Sequence, residues 1–102
     1  MIKALLIDPF LKKVTLITLA DKNSTPLQSI LQKIDAKTIT MPVVFNKDVI
    51  LSNEKTTLGA PSFVLNGKVI HGKAILCGND FQGGFRDKTL SQVALLCKVL
   101  FL

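Results

Sequence analysis

The sequence predicts a single α+β domain over residues 1–102, with a mostly antiparallel sheet of four to six strands and two helices. Three observations lead there. Short apolar runs recur between turn dipeptides, as strands joined by tight turns do. Two capping-box patterns, Thr25-Pro26-Leu27-Gln28 and Thr89-Leu90-Ser91-Gln92, mark helix starts. The 102 residues are 48% hydrophobic and 20% charged, which suits one core and rules out intrinsic disorder.

The elements follow in order. Ile2 to Ile7 and Val14 to Leu19 read as strands that are apolar on both faces, and therefore as interior strands covered on both sides. The link Asp8-Pro9-Phe10-Leu11-Lys12-Lys13 is short and opens with a turn dipeptide, so the pair forms an antiparallel hairpin. After Thr25 and Pro26, the residues Leu27, Ile30, Leu31 and Ile34 recur at i, i+3, i+4 and i+7, one apolar stripe of an amphipathic helix. Val43-Val44-Phe45 and Val49-Ile50-Leu51 flank Asn46-Lys47-Asp48 as a second hairpin, and the polar stretch from Ser52 to Pro61 reads as a surface loop.

Phe63-Val64-Leu65 and Lys68-Val69-Ile70 flank Asn66-Gly67, which supplies the positive φ angles of a type I′ turn. The second strand is expected to continue through Ala74-Ile75-Leu76-Cys77, with Gly72 giving a bulge or bend. Gly78 to Lys88 reads as a polar, glycine-containing loop. Val93 to Leu102 is apolar except for Lys98, and periodicity cannot separate helix from buried strand in such a run. The capping box favours a helix, and a helix apolar all round fills a core or meets a partner such as a second copy.

Composition narrows the function. No run approaches the ~18 apolar residues that span a bilayer. The opening apolar run, Ala4 to Ile7, is shorter than the apolar region of a signal peptide and is stopped by Asp8-Pro9. A cytoplasmic location, with no membrane partner, is the expectation. Cys77 and Cys97 both lie among apolar neighbours and read as buried reduced thiols. Six Phe with no Trp or Tyr argue against a carbohydrate platform, although Phe can stack on bases. The formal charge of +6 comes from 13 Lys and Arg against 7 acids, spread along the chain without a basic tail. Lys12, Lys13, Lys47 and Lys68 fall at predicted turns, where lysine guards strand edges. The same charge also supports salt-sensitive nucleic-acid binding through a diffuse Lys-rich surface.

Candidate chemistry is sparse. His71 with Cys77, Cys97 and Asp80 matches no zinc spacing, so no metal or cofactor is expected. His71 and Cys77 in one regular strand would lie about 20 Å apart, too far for a nucleophile and its base. Asp80 and Asp87 flank Gly83-Gly84 and read as turn formers or, together with His71, as the acid–base groups of a small enzyme. The glycine pair fits no phosphate-loop pattern.

Several segments carry a resemblance. Met1 to Pro9, Val49-Ile50-Leu51-Ser52-Asn53-Glu54-Lys55, Gly59-Ala60-Pro61, Ile70 to Asp80 and Thr89-Leu90-Ser91 are similar to segments of small uncharacterised proteins of phages and conjugative elements, a domain of unknown function. The long apolar end and the cysteines depart from that pattern. The resemblance implies a mobile-element origin and carries over no catalytic residue. The resulting expectation is a non-enzymatic accessory protein that binds a host macromolecule, foremost a host protein. Nucleic-acid binding and a small enzyme are the alternatives. The candidate interaction residues are Val93, Leu96, Leu100 and Phe101 in the apolar end, which would also serve a homodimer, and Phe81, Phe85 and Arg86 in the loop before it.

Overall fold

The computed structural model describes residues 2–19, 26–45, 47–55, 59–79 and 85–102. Ile2–Asp8 (β1) and Lys13–Leu19 (β2) form the expected antiparallel hairpin, paired from Ile2–Leu19 to Asp8–Lys13. Asp8 explains the turn. Its Oδ1 accepts from the Phe10 and Leu11 N–H groups at 3.0 and 3.3 Å, so the carboxylate supplies the acceptor that reverses the chain.

Helix α1, Pro26–Lys33, buries Ile30 and Ile34, while Leu31 is half-buried and Leu27 exposed. Its stripe is therefore narrower than the sequence pattern. Thr25, the predicted cap, lies outside the described residues. The helix stops on Asp35 at φ 53, with the Ala36 N–H donating to the Leu31 carbonyl at 2.9 Å. That is the left-handed C-terminal motif, here without the usual glycine.

Ile39–Val44 (β3) and Asp48–Asn53 (β4) make the second hairpin. β3 begins earlier than the sequence suggests and runs through Pro42. Between Thr40 and Val43 the pairing register slips, so Ile39 and Val43 face opposite sides of the sheet. A proline is tolerated because β3 is an edge strand, where its missing N–H breaks no ladder bond. Ser52 and Asn53, expected in a loop, complete β4.

Ser62–Leu65 (β5) and Lys68–His71 (β6) pair around Asn66 and Gly67, whose φ angles of 53 and 78 fit the predicted type I′ turn. Gly72, at φ 80, then turns the chain out of one sheet and into another as Ala74–Asn79 (β7). The glycine is thus a sheet-switching bend. The presumed loop from Gly78 to Lys88 contains the end of β7 and a two-residue strand, Phe85–Arg86 (β8), which pairs with it.

The last segment corrects the sequence expectation most. Helix α2 spans only Gln92–Leu96, and Val99–Phe101 (β9) is a strand paired with β5. Its cap is Ser91, whose Oγ accepts the Ala94 N–H at 3.1 Å, and Thr89 instead donates its N–H to Asp48. The helix is not apolar all round in its surroundings: Leu95 is buried, whereas Val93 and Leu96 are exposed.

Among the described strands every pairing is antiparallel. The larger sheet runs β2-β1-β7-β4-β3, with β8 beside β7, and the smaller runs β6-β5-β9. One face of the larger sheet (Leu5, Ile7, Ile50, Leu76) packs on Phe63, Leu65 and Ile70 of the smaller sheet and on Leu95 of α2. The other face (Ala4, Val49, Leu51, Ile75) packs on Ile30 and Ile34 of α1. β1, β7 and β4 are covered on both sides, which accounts for their unbroken apolar runs. β2 was expected inside in the same way but is an edge strand, and Leu16 stands 52% exposed. Among the described residues, no helix is long and apolar enough to cross a membrane.

Candidate functional site

The smaller sheet has one face in the core and one outside. Alternation along β5 sends Phe63 and Leu65 inward, and β6 and β9 follow with Ile70, Val99 and Phe101. Phe101 meets Phe63 edge-on at 6.3 Å between ring centroids. The residues between these point outward. Val64 pairs with Val69 on one side and Leu100 on the other, so the three form an apolar row straight across the sheet. Val69 is 55% and Leu100 62% exposed. Leu102, 59% exposed, extends this end of the molecule and is held by its N–H to the Ser62 carbonyl at 3.2 Å. Directly opposed apolar side chains stabilise a sheet surface, and large contiguous apolar surface is the kind that meets partners.

The predicted interaction residues divide accordingly. Leu100 lies in the row. Val93 and Leu96 sit exposed, three apart on α2, which Gln92 anchors to β2 by donating from its Nε2 to the Val14 carbonyl. Phe101 belongs to the core. Phe85 packs with the α1-side core, across the larger sheet from Phe101, and Arg86 is the exposed residue that follows it on β8. The six described candidates therefore do not form one surface. Phe81 lies outside the described residues. Val64 and Val69 were missed, and their signal was the Asn66-Gly67 hairpin, which fixes that they share a face.

Of the candidate catalytic groups, the two that are described, Asp87 and His71, make separate contacts. Asp87 Oδ1 accepts the Lys3 N–H at 2.9 Å and so ties the segment after β8 to β1. His71 is half-buried, with Nδ1 3.5 Å from the Ala60 carbonyl. Asp80 lies outside the described residues. No group of three His, Cys, Asp or Glu among the described residues could hold a metal ion.

No family model, curated protein or solved structure matches the chain.

A buried acid that sequence reasoning passed over organises the far end of the fold. Asp48 is fully buried on the same face of β4 as Ile50 and Ser52. Its carboxylate accepts the Thr89 N–H at 2.9 and 3.1 Å and the Leu90 N–H at 2.8 Å. The signal was its register, since an acid in phase with a buried apolar face needs partners.

Cys77 is also buried. Desolvation, with a smaller contribution from the Asp48 charge, pushes its thiol up to about 12, so it stays protonated at neutral pH. Cys97, contrary to expectation, is exposed. Titration with a thiol reagent at neutral pH is expected to label Cys97 rapidly in the native protein and Cys77 only after denaturant is added. Immediate labelling of both would contradict the packing of β7.

Proposed function

We propose that this chain is a non-enzymatic binding protein that takes up a protein partner on the outer face of its smaller sheet. The observation that carries this reading is the Val69–Val64–Leu100 row, exposed at Val69 and Leu100 and half-buried at Val64 between them. It is an apolar surface on a rigid three-stranded platform, flanked by Leu102. The resemblance to phage and conjugative-element proteins makes a bacterial host protein the class of partner. The lysines at the turns, Lys12, Lys47 and Lys68, are exposed and surround the core as a solubilising coat.

Val69→Lys and Leu100→Lys place a charge in the row at exposed positions, where stability should change by no more than about 0.5 kcal/mol. The wild-type chain is expected to capture a bacterial protein at a stoichiometric level, and each variant to lose it while melting normally. Capture that survives both substitutions overturns the assignment of this face. Sedimentation of the same proteins distinguishes a second copy as the occupant, because self-association would then vanish in the variants.

A further inference from the structure

A second feature lies on a different part of the surface. Five separated segments converge on a cleft of about 160 Å³: the β1–β2 turn, the end of α1, the end of β4, the Ala60 segment and the β6–β7 bend. It shares Asp35, Asn53 and Lys55 with a neighbouring depression of about 200 Å³ that Lys37 and Thr38 also line. Among the described residues, Lys55 and Lys73 line the cleft together with one acid, Asp35, and with His71, and Lys37 lines the depression beside it.

We propose that this cleft binds a phosphate group. The charge balance fits. Taken together, the cleft and the adjoining depression bring three ammonium groups to one carboxylate among the described residues, a surplus that matches the roughly −1.5 to −2 charge of a phosphomonoester better than a single carboxylate. Lysines bind phosphate as point charges and need no fork geometry.

Lys73 is the best-placed donor. Its side chain is only 31% exposed, and its Nζ sits 6.0 Å from the Phe10 ring centroid. Asp35 Oδ2 lies 4.0 Å away, which is an electrostatic contact longer than a hydrogen bond, so Asp35 orients the ammonium without taking up its donors. Asp35 itself is 85% exposed, so water screens its repulsion of an incoming anion. His71 lies with Nδ1 3.5 Å from the Ala60 carbonyl, and as an imidazolium it has a second N–H, on Nε2, to donate to an anion. The adjoining depression has room for the body to which a phosphate is attached.

His71 is the chain's one histidine, so its imidazole resonances report on the cleft without assignment. At fixed pH, with sodium chloride holding ionic strength constant, inorganic phosphate is expected to shift them saturably. A nucleoside 5′-monophosphate tests an attached phosphate, and the matching nucleoside is the blank. Tighter saturation by the monophosphate than by inorganic phosphate identifies an esterified ligand, and equal saturation identifies the free ion. Lys73→Gln and Lys55→Gln should each weaken binding about tenfold, in line with the loss of one charge-assisted hydrogen bond. Lys55 is exposed, so its variant keeps the test valid if Lys73→Gln fails to fold. A shift that does not saturate, that the nucleoside reproduces, or that Lys55→Gln leaves unchanged overturns the proposal.

Discussion

Replacing Asp48 with alanine is expected to cost about 3–5 kcal/mol, a large part of the ~5–15 kcal/mol that holds a domain together. The Thr89 and Leu90 N–H groups both end on this one fully buried carboxylate. Removing it leaves two donors without an acceptor at a part-buried site, and each such loss costs roughly 1–3 kcal/mol. The volume vacated beside Ile50 adds a smaller cavity cost. Asp48→Asn keeps one oxygen and should lose only about half as much. Urea unfolding measures both as shifts in midpoint. If Asp48→Ala unfolds at the wild-type midpoint, the carboxylate does not hold the segment that leads into α2.

Gly78→Ala is the second large effect, and its cause is space rather than backbone angle. A Cβ at this position would land on the Asp87 carbonyl oxygen and 2.9 Å from that of Arg86. Those atoms belong to backbone, which cannot swing aside as a side-chain end can. The strand β8, paired with β7 through Gly78 and Arg86, would have to lift. The Asp87–Lys3 bond would go with it, as would the bond from the Lys88 N–H to the Lys3 carbonyl at 2.9 Å. Overpacking of this kind costs about 1–3 kcal/mol or more, which lowers the melting temperature of a domain this size by about 5–15 °C. Amide exchange at Lys3 should accelerate in the same variant. An alanine protein that melts like the wild type would show that β8 does not lie against Gly78.

Both effects fall on residues 85–90, the stretch that sequence reasoning resolved least. What was legible was local. Asn66-Gly67 dictates its own turn, Asp8-Pro9 its own reversal, and the spacing of Ile30 and Ile34 its own buried stripe. What was not legible depends on distant pairing. Residues 93–102 are apolar apart from Lys98, so their split into a short helix and a strand rests on β5, whose second edge is filled by Val99–Phe101. β2 carries the same two-sided apolar pattern as β1, and only the strand order reveals that it ends the sheet. The candidate site shows the same division. Leu100 could be named from its composition, but the row needs Val64 and Val69, and period-two alternation gives the faces of a strand without saying which face another layer will cover. Asp48 reads as part of a turn in the sequence because its partners lie 41 and 42 residues away.

The position of β7 has a consequence for how the molecule comes to be made. In the larger sheet this strand lies between β1 and β4, yet it follows both in the chain. A nascent chain leaving the ribosome can close β1–β2 and then β3–β4 as independent hairpins, each held by neighbours in sequence. Until residues 74–79 emerge, the inner edges of β1 and β4 have no strand between them, and these are among the most apolar edges the protein owns. The last-arriving centre strand therefore makes assembly of the sheet a late, long-range event. It also defines an interval during synthesis when two sticky hairpins must be kept from other chains.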